Sequence, residues 1–141
     1  MDVYFSRYPK VHEYMLFARQ LAAEKGYAQT LYGRRIPLPD ILASQQQRRA
    51  AAERQAINAP LQGTVADIIK LAMICIDEWL ASSDLSVRMV MQVHDELIFE
   101  VLETEIDEAS QQIRHCMQDV VKLEVPLIVD IGVGDNWDEA H

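Results

Sequence analysis

His94-Asp95-Glu96 sets three ionisable side chains in a row between two apolar runs, Arg88 to Val93 and Leu97 to Val101. Val90, Val93, Ile98, Phe99 and Val101 are the β-branched and aromatic residues that strands favour, so the stretch reads as an antiparallel β-hairpin with a carboxylate at its tip. Tight hairpin turns usually take Asn-Gly or Asp-Gly, which tolerate positive φ, and this tip has no Gly, Asn or Pro. Its residues therefore point to chemistry as well as geometry. A carboxylate held on stiff apolar strands suits a hard cation such as Mg²⁺, with Asp95 as the metal ligand. Asp is also frequent in turns, where its carboxylate accepts a backbone N–H, and that reading needs no metal. Two-metal phosphoryl transfer takes carboxylates from separate segments to hold ions about 3.5 to 4 Å apart, so one tip supplies part of such a site.

A second group of residues has a different chemistry. Arg34, Arg35, Arg48, Arg49 and Arg54 fall in one short window whose only acids are Asp40 and Glu53. That window reads either as a phosphate-contacting surface or as the solvated start of an Arg-rich helix. The charge of the whole chain, −9, argues against nucleic acid, but its distribution does not. Residues 1–93 carry 11 basic against 9 acidic side chains, whereas residues 94–141 carry 2 against 13.

The elements that must hold these residues follow from periodicity. Val11, Tyr14, Met15, Ala18, Leu21 and Ala22 recur with helical spacing from Pro9 to Lys25, with Pro9 suited to a first turn and Gly26 to a C-terminal cap. Tyr27–Leu31 and Arg35–Leu38 flank Tyr32-Gly33 as a short hairpin. Arg48 to Asn58 is rich in Ala and Arg and predicts a helix that Pro60 and Gly63 interrupt. Thr64 and Asp67 then resemble a capping box for a strongly apolar helix running to Leu80, and Thr104 with Asp107 repeats the pattern for an amphipathic helix ending near Val120. Val125 to Val133 reads as a last strand, with Pro126 favouring an edge. The expected class is α+β, an antiparallel β-hairpin and a further strand packed on helices.

With 141 residues, half of them hydrophobic, the chain is long enough for one domain with a real core. No run approaches the roughly 20 apolar residues of a membrane span, and the start lacks the basic-then-apolar order of a secretion signal. Cys75 and Cys116 lie 41 positions apart in apolar helical patterns, so buried free thiols in a reducing cytoplasm are expected.

Three ordered segments carry a resemblance that covers essentially the whole chain: Arg54 to Lys70, Met91-Gln92-Val93-His94-Asp95-Glu96-Leu97, and Gly134-Asp135-Asn136-Trp137. The chain resembles the C-terminal part of the bacterial DNA polymerase I family, the family-A DNA polymerases. Departures such as Val65, where the family commonly has Ala, and Tyr32-Gly33, where Asp-Gly is frequent, touch no catalytic group.

The resemblance implies a DNA-directed DNA polymerase, a nucleotidyltransferase of replication and repair in the bacterial cytoplasm beside the nucleoid. A primer 3′-hydroxyl would attack the α-phosphate of a deoxynucleotide on primer-template DNA, with two Mg²⁺ ions. By the same likeness Asp95 is one of two metal-binding aspartates, Glu96 an accessory acid and His94 a residue near the primer terminus. Arg54, Asn58 and Gln62, four apart, would face the duplex, with Arg48 and Arg49 as further DNA contacts. Residues 1–50 would be a fingers-derived helix and hairpin and residues 51–141 a portion of the palm.

The family's first catalytic aspartate and its nucleotide-binding fingers helix have no counterpart in the chain, which is therefore expected to be a fragment that cannot polymerise alone. The loss of a covering strand also predicts self-association. Two other classes stay open: a metal-dependent nuclease, which needs further acids converging on Asp95, and a non-catalytic DNA-binding or interaction module.

Overall fold

The computed structural model of the chain describes residues 2–140. Its described residues divide into two compact units, 2–65 and 66–140. In the first, α1 (Asp2–Arg7) leads into α2 (Pro9–Lys25), whose opening turn takes Pro9 where a missing N–H is harmless. Gly26 closes α2 in the left-handed region with φ 75°, and its N–H donates to Ala22 O at 2.8 Å. β1 (Tyr27–Gln29) and β2 (Arg35–Pro37) pair antiparallel with Tyr27 opposite Pro37, so the first hairpin forms with shorter strands than its sequence predicts. Thr30 holds the turn. Its N–H donates to Arg34 O at 2.9 Å, its carbonyl accepts from Gly33 N at 3.0 Å, and its hydroxyl accepts from Arg34 N at 3.1 Å.

The predicted break at Pro60–Gly63 does not occur, because one helix, α3 (Gln46–Ser82), runs straight through it. Thr64 is interior to α3 and caps nothing. Its hydroxyl donates to Pro60 O at 2.6 Å and accepts from Leu31 N at 3.0 Å, so it ties the helix to the β1–β2 turn. Burial keeps the helix whole: Ala52, Ala56 and Ala59 join Ala22, Ala28, Leu38 and Ile41 in the core of this unit. Small side chains on that stripe let the β1–β2 hairpin approach closely. At Gly63 the approach is closest, since a Cβ there would stand 2.6 Å from Thr30 Cγ2. The Tyr14 hydroxyl adds a tie to α3 by donating to Ile57 O at 2.8 Å, and burial raises its phenol above the usual pKa. Continuity through Pro60 also makes α3 long and apolar enough to cross a membrane by length and composition, which the sequence reading did not foresee. A third of that apolar stretch, 33%, is buried within the protein, and Asp67 is among the buried residues of the helix.

In the second unit, β3 (Val87–Val93) and β4 (Glu96–Val101) form an antiparallel pair, followed by α4 (Ile106–Asp119) and the short α5 (Trp137–Ala140). Ile76, Ala109, Ile113 and Cys116 centre the core, with Leu97, Phe99 and Val101 of β4 packed against it. The Thr104 cap is not used: a 3₁₀ turn at Glu103–Glu105 precedes α4, and the Glu105 carboxylate accepts from Ser86 N at 2.7 Å.

Two further expectations are corrected here. Cys75 and Cys116 are not free thiols but a disulfide, because α4 packs on α3 and brings their Cα atoms to 5.6 Å, within the span of such a bond. Residues 125–133 are not a strand among the described residues. Pro126 removes a donor, the β3–β4 sheet stays two-stranded, and Val125 and Ile128 are left 74% and 75% exposed. The result is an α+β chain of helices and two small antiparallel sheets.

Candidate functional site

The hairpin of the second unit holds the carboxylates as the sequence reading expects. Val93 pairs with Glu96, which leaves His94 and Asp95 as a two-residue turn. Among the described residues His94 alone takes positive φ without being glycine, at 54°. Positive φ at the first central residue and not the second is the pattern of a type II′ turn, whose first place normally belongs to Gly. A histidine there stores about 1 kcal/mol of backbone strain.

Two neighbours support that strained tip. The Gln92 amide donates to His94 O at 3.0 Å. Further back, Met89 opposes Phe99 while Met91 opposes Ile98, so Val90 is the extra residue of a β-bulge. Bulges bend and twist a strand, and here the bend redirects the end that carries Asp95. Arg88 and Glu100 pair across the strands at the far end.

His94 and Asp95 are exposed, whereas Glu96 is half-buried and engaged with a neighbour. Adjacent carboxylates are hard oxygen donors of the kind Mg²⁺ takes. No group of three or more His, Cys, Asp or Glu able to hold a metal occurs among the described residues. The tip thus fits as a contributor of ligands and does not enclose an ion.

In the first unit, Arg54, Asn58 and Gln62 are all exposed on one face of α3, turned away from the buried Ala52, Ala56 and Ala59. The i, i+4 spacing thus yields one surface row, with Thr64 and Gly63 fixing its end against the β1–β2 turn. Leu61 and Val65 are exposed on that same face, 57% and 45%. The arginine window is less uniform than its charge suggests. Arg48 pairs with Asp40 at 2.6 Å, Arg49 lies 3.8 Å from Glu53, and the Arg35 guanidinium sits 4.8 Å over the Tyr27 ring.

Sequence reasoning passed over Gln92 and Leu61. Gln92 carried no signal, because only the turn geometry brings its amide to His94. Leu61 carried one, its spacing of three from Asn58 beside the polar Arg54, Asn58 and Gln62 row, but its apolar side chain reads equally as core.

The chain is 52% identical over its full length to DNA polymerase I of Pseudomonas aeruginosa and 45% identical over 99% of its length to DNA polymerase I of Mycobacterium tuberculosis. It spans about 15% of the length of these curated relatives. A solved structure, the POL domain of Pol1 from M. smegmatis in complex with DNA primer-template and dNTP, superposes with a TM-score of 0.92 at 46% identity, covering 97% of this chain and 24% of that one. Residues 1–139 match the family description of DNA polymerase family A, and the chain belongs to that family.

Proposed function

We propose that this chain forms part of the catalytic centre of a DNA-directed DNA polymerase, a nucleotidyltransferase of DNA replication and repair. The observation that carries the reading is the tip itself: Asp95 and Glu96 presented side by side on a bulged hairpin by a histidine held at positive φ. In this reading residues 51–141 are a portion of the palm and residues 1–50 a fingers-derived helix and hairpin. The protein would work in the bacterial cytoplasm beside the nucleoid.

Asp95 is the metal-binding carboxylate, Glu96 an accessory acid, and His94 lies near the primer terminus. Bound Mg²⁺ would supply charge for the primer 3′-hydroxyl that attacks the nucleotide α-phosphate and for the departing pyrophosphate. Asp95 contributes by being rigid, since β3 and β4 fix its position beside the reacting end. Arg54 meets phosphate or sugar, while Asn58 and Gln62 meet the acceptors that all base pairs share in the minor groove, testing pair shape without reading sequence. Arg48 and Arg49 exchange their local carboxylates for phosphate when duplex is bound.

Two-metal transfer needs carboxylates from separate segments, and the single tip offers one segment. The 141-residue chain alone is therefore expected to give no primer extension. Grafted in place of the aligned segment of the Pseudomonas aeruginosa enzyme, it is expected to support extension with Mg²⁺ and four deoxynucleotides. Asp95→Asn in that graft should lower kcat by about 100-fold or more while duplex affinity is kept. Unchanged extension by the Asp95→Asn graft would remove the role of this carboxylate. The outer edges of the two-stranded β3–β4 sheet, beside exposed Val90 and Met91, favour self-association of the free chain. Sedimentation velocity across a concentration series checks this, and a monomer throughout would count against it.

A further inference from the structure

On the face of α3 that bears Arg54, Asn58 and Gln62, two side chains cannot form hydrogen bonds. Leu61 follows Asn58 by three and precedes Gln62, and Val65 follows Leu61 by four, so all five residues share one surface of one helix. Leu61 is 57% and Val65 45% exposed, whereas within this unit the opposite side of the helix buries Ala52, Ala56 and Ala59. This apolar pair does not serve the core of its own unit.

We propose that Leu61 and Val65 form an apolar seat for the deoxyribose edges of the bound duplex and select against a 2′-hydroxyl there; this rests on the duplex-binding reading of Arg54, Asn58 and Gln62. The argument is one of complementarity. Flanking polar groups at Asn58 and Gln62 match base-edge acceptors on the floor of a DNA minor groove, and what lines the walls beside those acceptors is sugar, whose C2′ carries only hydrogen. An aliphatic side chain meets that surface without loss. A ribose at the same place would bury its 2′-hydroxyl against Leu61 with no partner, and an unsatisfied hydroxyl is disfavoured. The 2′-hydroxyl is the group by which proteins tell RNA from DNA at a given site. The seat is fixed in place because the Thr64 hydroxyl, between Leu61 and Val65 in sequence, accepts from Leu31 N at 3.0 Å and donates to Pro60 O at 2.6 Å.

The experiment measures binding of the 141-residue chain by fluorescence anisotropy at low salt, using a DNA duplex and the same duplex with ribose in one strand. Leu61→Asn is expected to weaken DNA-duplex binding by about 3- to 10-fold and to lower the preference for DNA over the ribose-containing duplex by a similar factor. The slope of log affinity against log salt should not change, because no phosphate contact is lost. Leu61→Met, which keeps an apolar surface, should stay close to wild type. Both positions are exposed, so folding should be unaffected, and the near-isosteric Val65→Thr gives a second reading with a smaller change in the same direction. Arg54→Ala serves as the contrast: weaker binding with a shallower salt slope.

Unchanged DNA preference in Leu61→Asn and Val65→Thr, with Asn58→Ala and Gln62→Ala still weakening binding, overturns the seat and leaves the duplex-binding face standing. Lack of any duplex binding by the wild-type chain, or indifference to Arg54→Ala, Asn58→Ala and Gln62→Ala together, overturns that face and the seat with it.

Discussion

The side-chain amide of Gln92 donates to the backbone carbonyl of His94 at 3.0 Å, and His94 holds a φ of 54° that its side chain disfavours. The first residue thus helps fix the conformation of the second, one position before Asp95. Strain at a turn persists where its surroundings over-determine it, and it collects at functional sites.

Replacing His94 with Gly removes the disfavoured conformation while leaving the carbonyl that Gln92 holds. Urea denaturation should show His94→Gly more stable than wild type by about 1 kcal/mol, set against some loss of rigidity at the tip. In the grafted polymerase the same change should slow extension. A less stable Gly variant would mean that the imidazole contributes more to folding than its backbone strain costs.

Gly63 tests the close approach of α3 to the first hairpin. A Cβ there would stand 2.6 Å from Thr30 Cγ2 and 3.1 Å from Ile36 Cδ1, and Thr30 cannot yield easily because it holds the Gly33–Arg34 turn by three hydrogen bonds. Overpacking costs about 1 to 3 kcal/mol, against a gain of about 1 from replacing a helical glycine with alanine. Gly63→Ala should therefore lose up to about 2 kcal/mol. Thr30→Ser, which deletes the clashing methyl and keeps the hydroxyl, should recover most of that loss, and a double-mutant cycle showing no coupling would rule out the contact as its cause.

The Cys75–Cys116 disulfide closes a loop across a separation of 41 residues between α3 and α4. Loop-closure entropy gives about 4 kcal/mol for a loop of this size. Thermal unfolding with and without a thiol reductant should show a clearly lower midpoint when reduced, and Cys75→Ala with Cys116→Ala should match the reduced protein and no longer respond to reductant. Equal midpoints in both conditions would show the link to be dispensable.

Tyr14 sets an alkaline limit. Burial raises its phenol pKa in the folded chain, so the folded state keeps the proton that the unfolded state releases above about pH 10. Its contribution is complete below that value and is lost as pH rises through the folded pKa. Tyr14→Phe should cost about 1 kcal/mol at neutral pH through the lost bond to Ile57 O. The gap between the two proteins should narrow above pH 10 in parallel denaturation series. A gap that stays constant to high pH would show that this hydroxyl does not titrate in the way its burial implies.

Local patterns made the candidate site legible. The β3–β4 hairpin, its His94-Asp95 turn and the Arg54, Asn58, Gln62 row each depend on neighbours within a few residues, where period and turn chemistry act directly. The same holds for α2, from Pro9 to the Gly26 cap. At Pro60 and Thr64 the local rules failed. A proline and a glycine three apart ordinarily end a helix, but the buried alanine stripe and the Thr64 bond to the β1–β2 turn outweigh the lost donor.

The sequence by itself determined which residues stand side by side: the carboxylates between two strands, the polar row along a helix and the acidity of the C-terminal third. Tertiary structure alone decided what joins distant segments. It set the unbroken course of α3, the meeting of Cys75 with Cys116 and the irregular course of residues 125–133. It also placed Gln92 under His94 and left Leu61 exposed among the polar residues of α3. The physical reason is that hydrogen-bond and packing partners far apart in the chain enter the balance only after folding brings them together. The tip motif, by contrast, is written in consecutive residues.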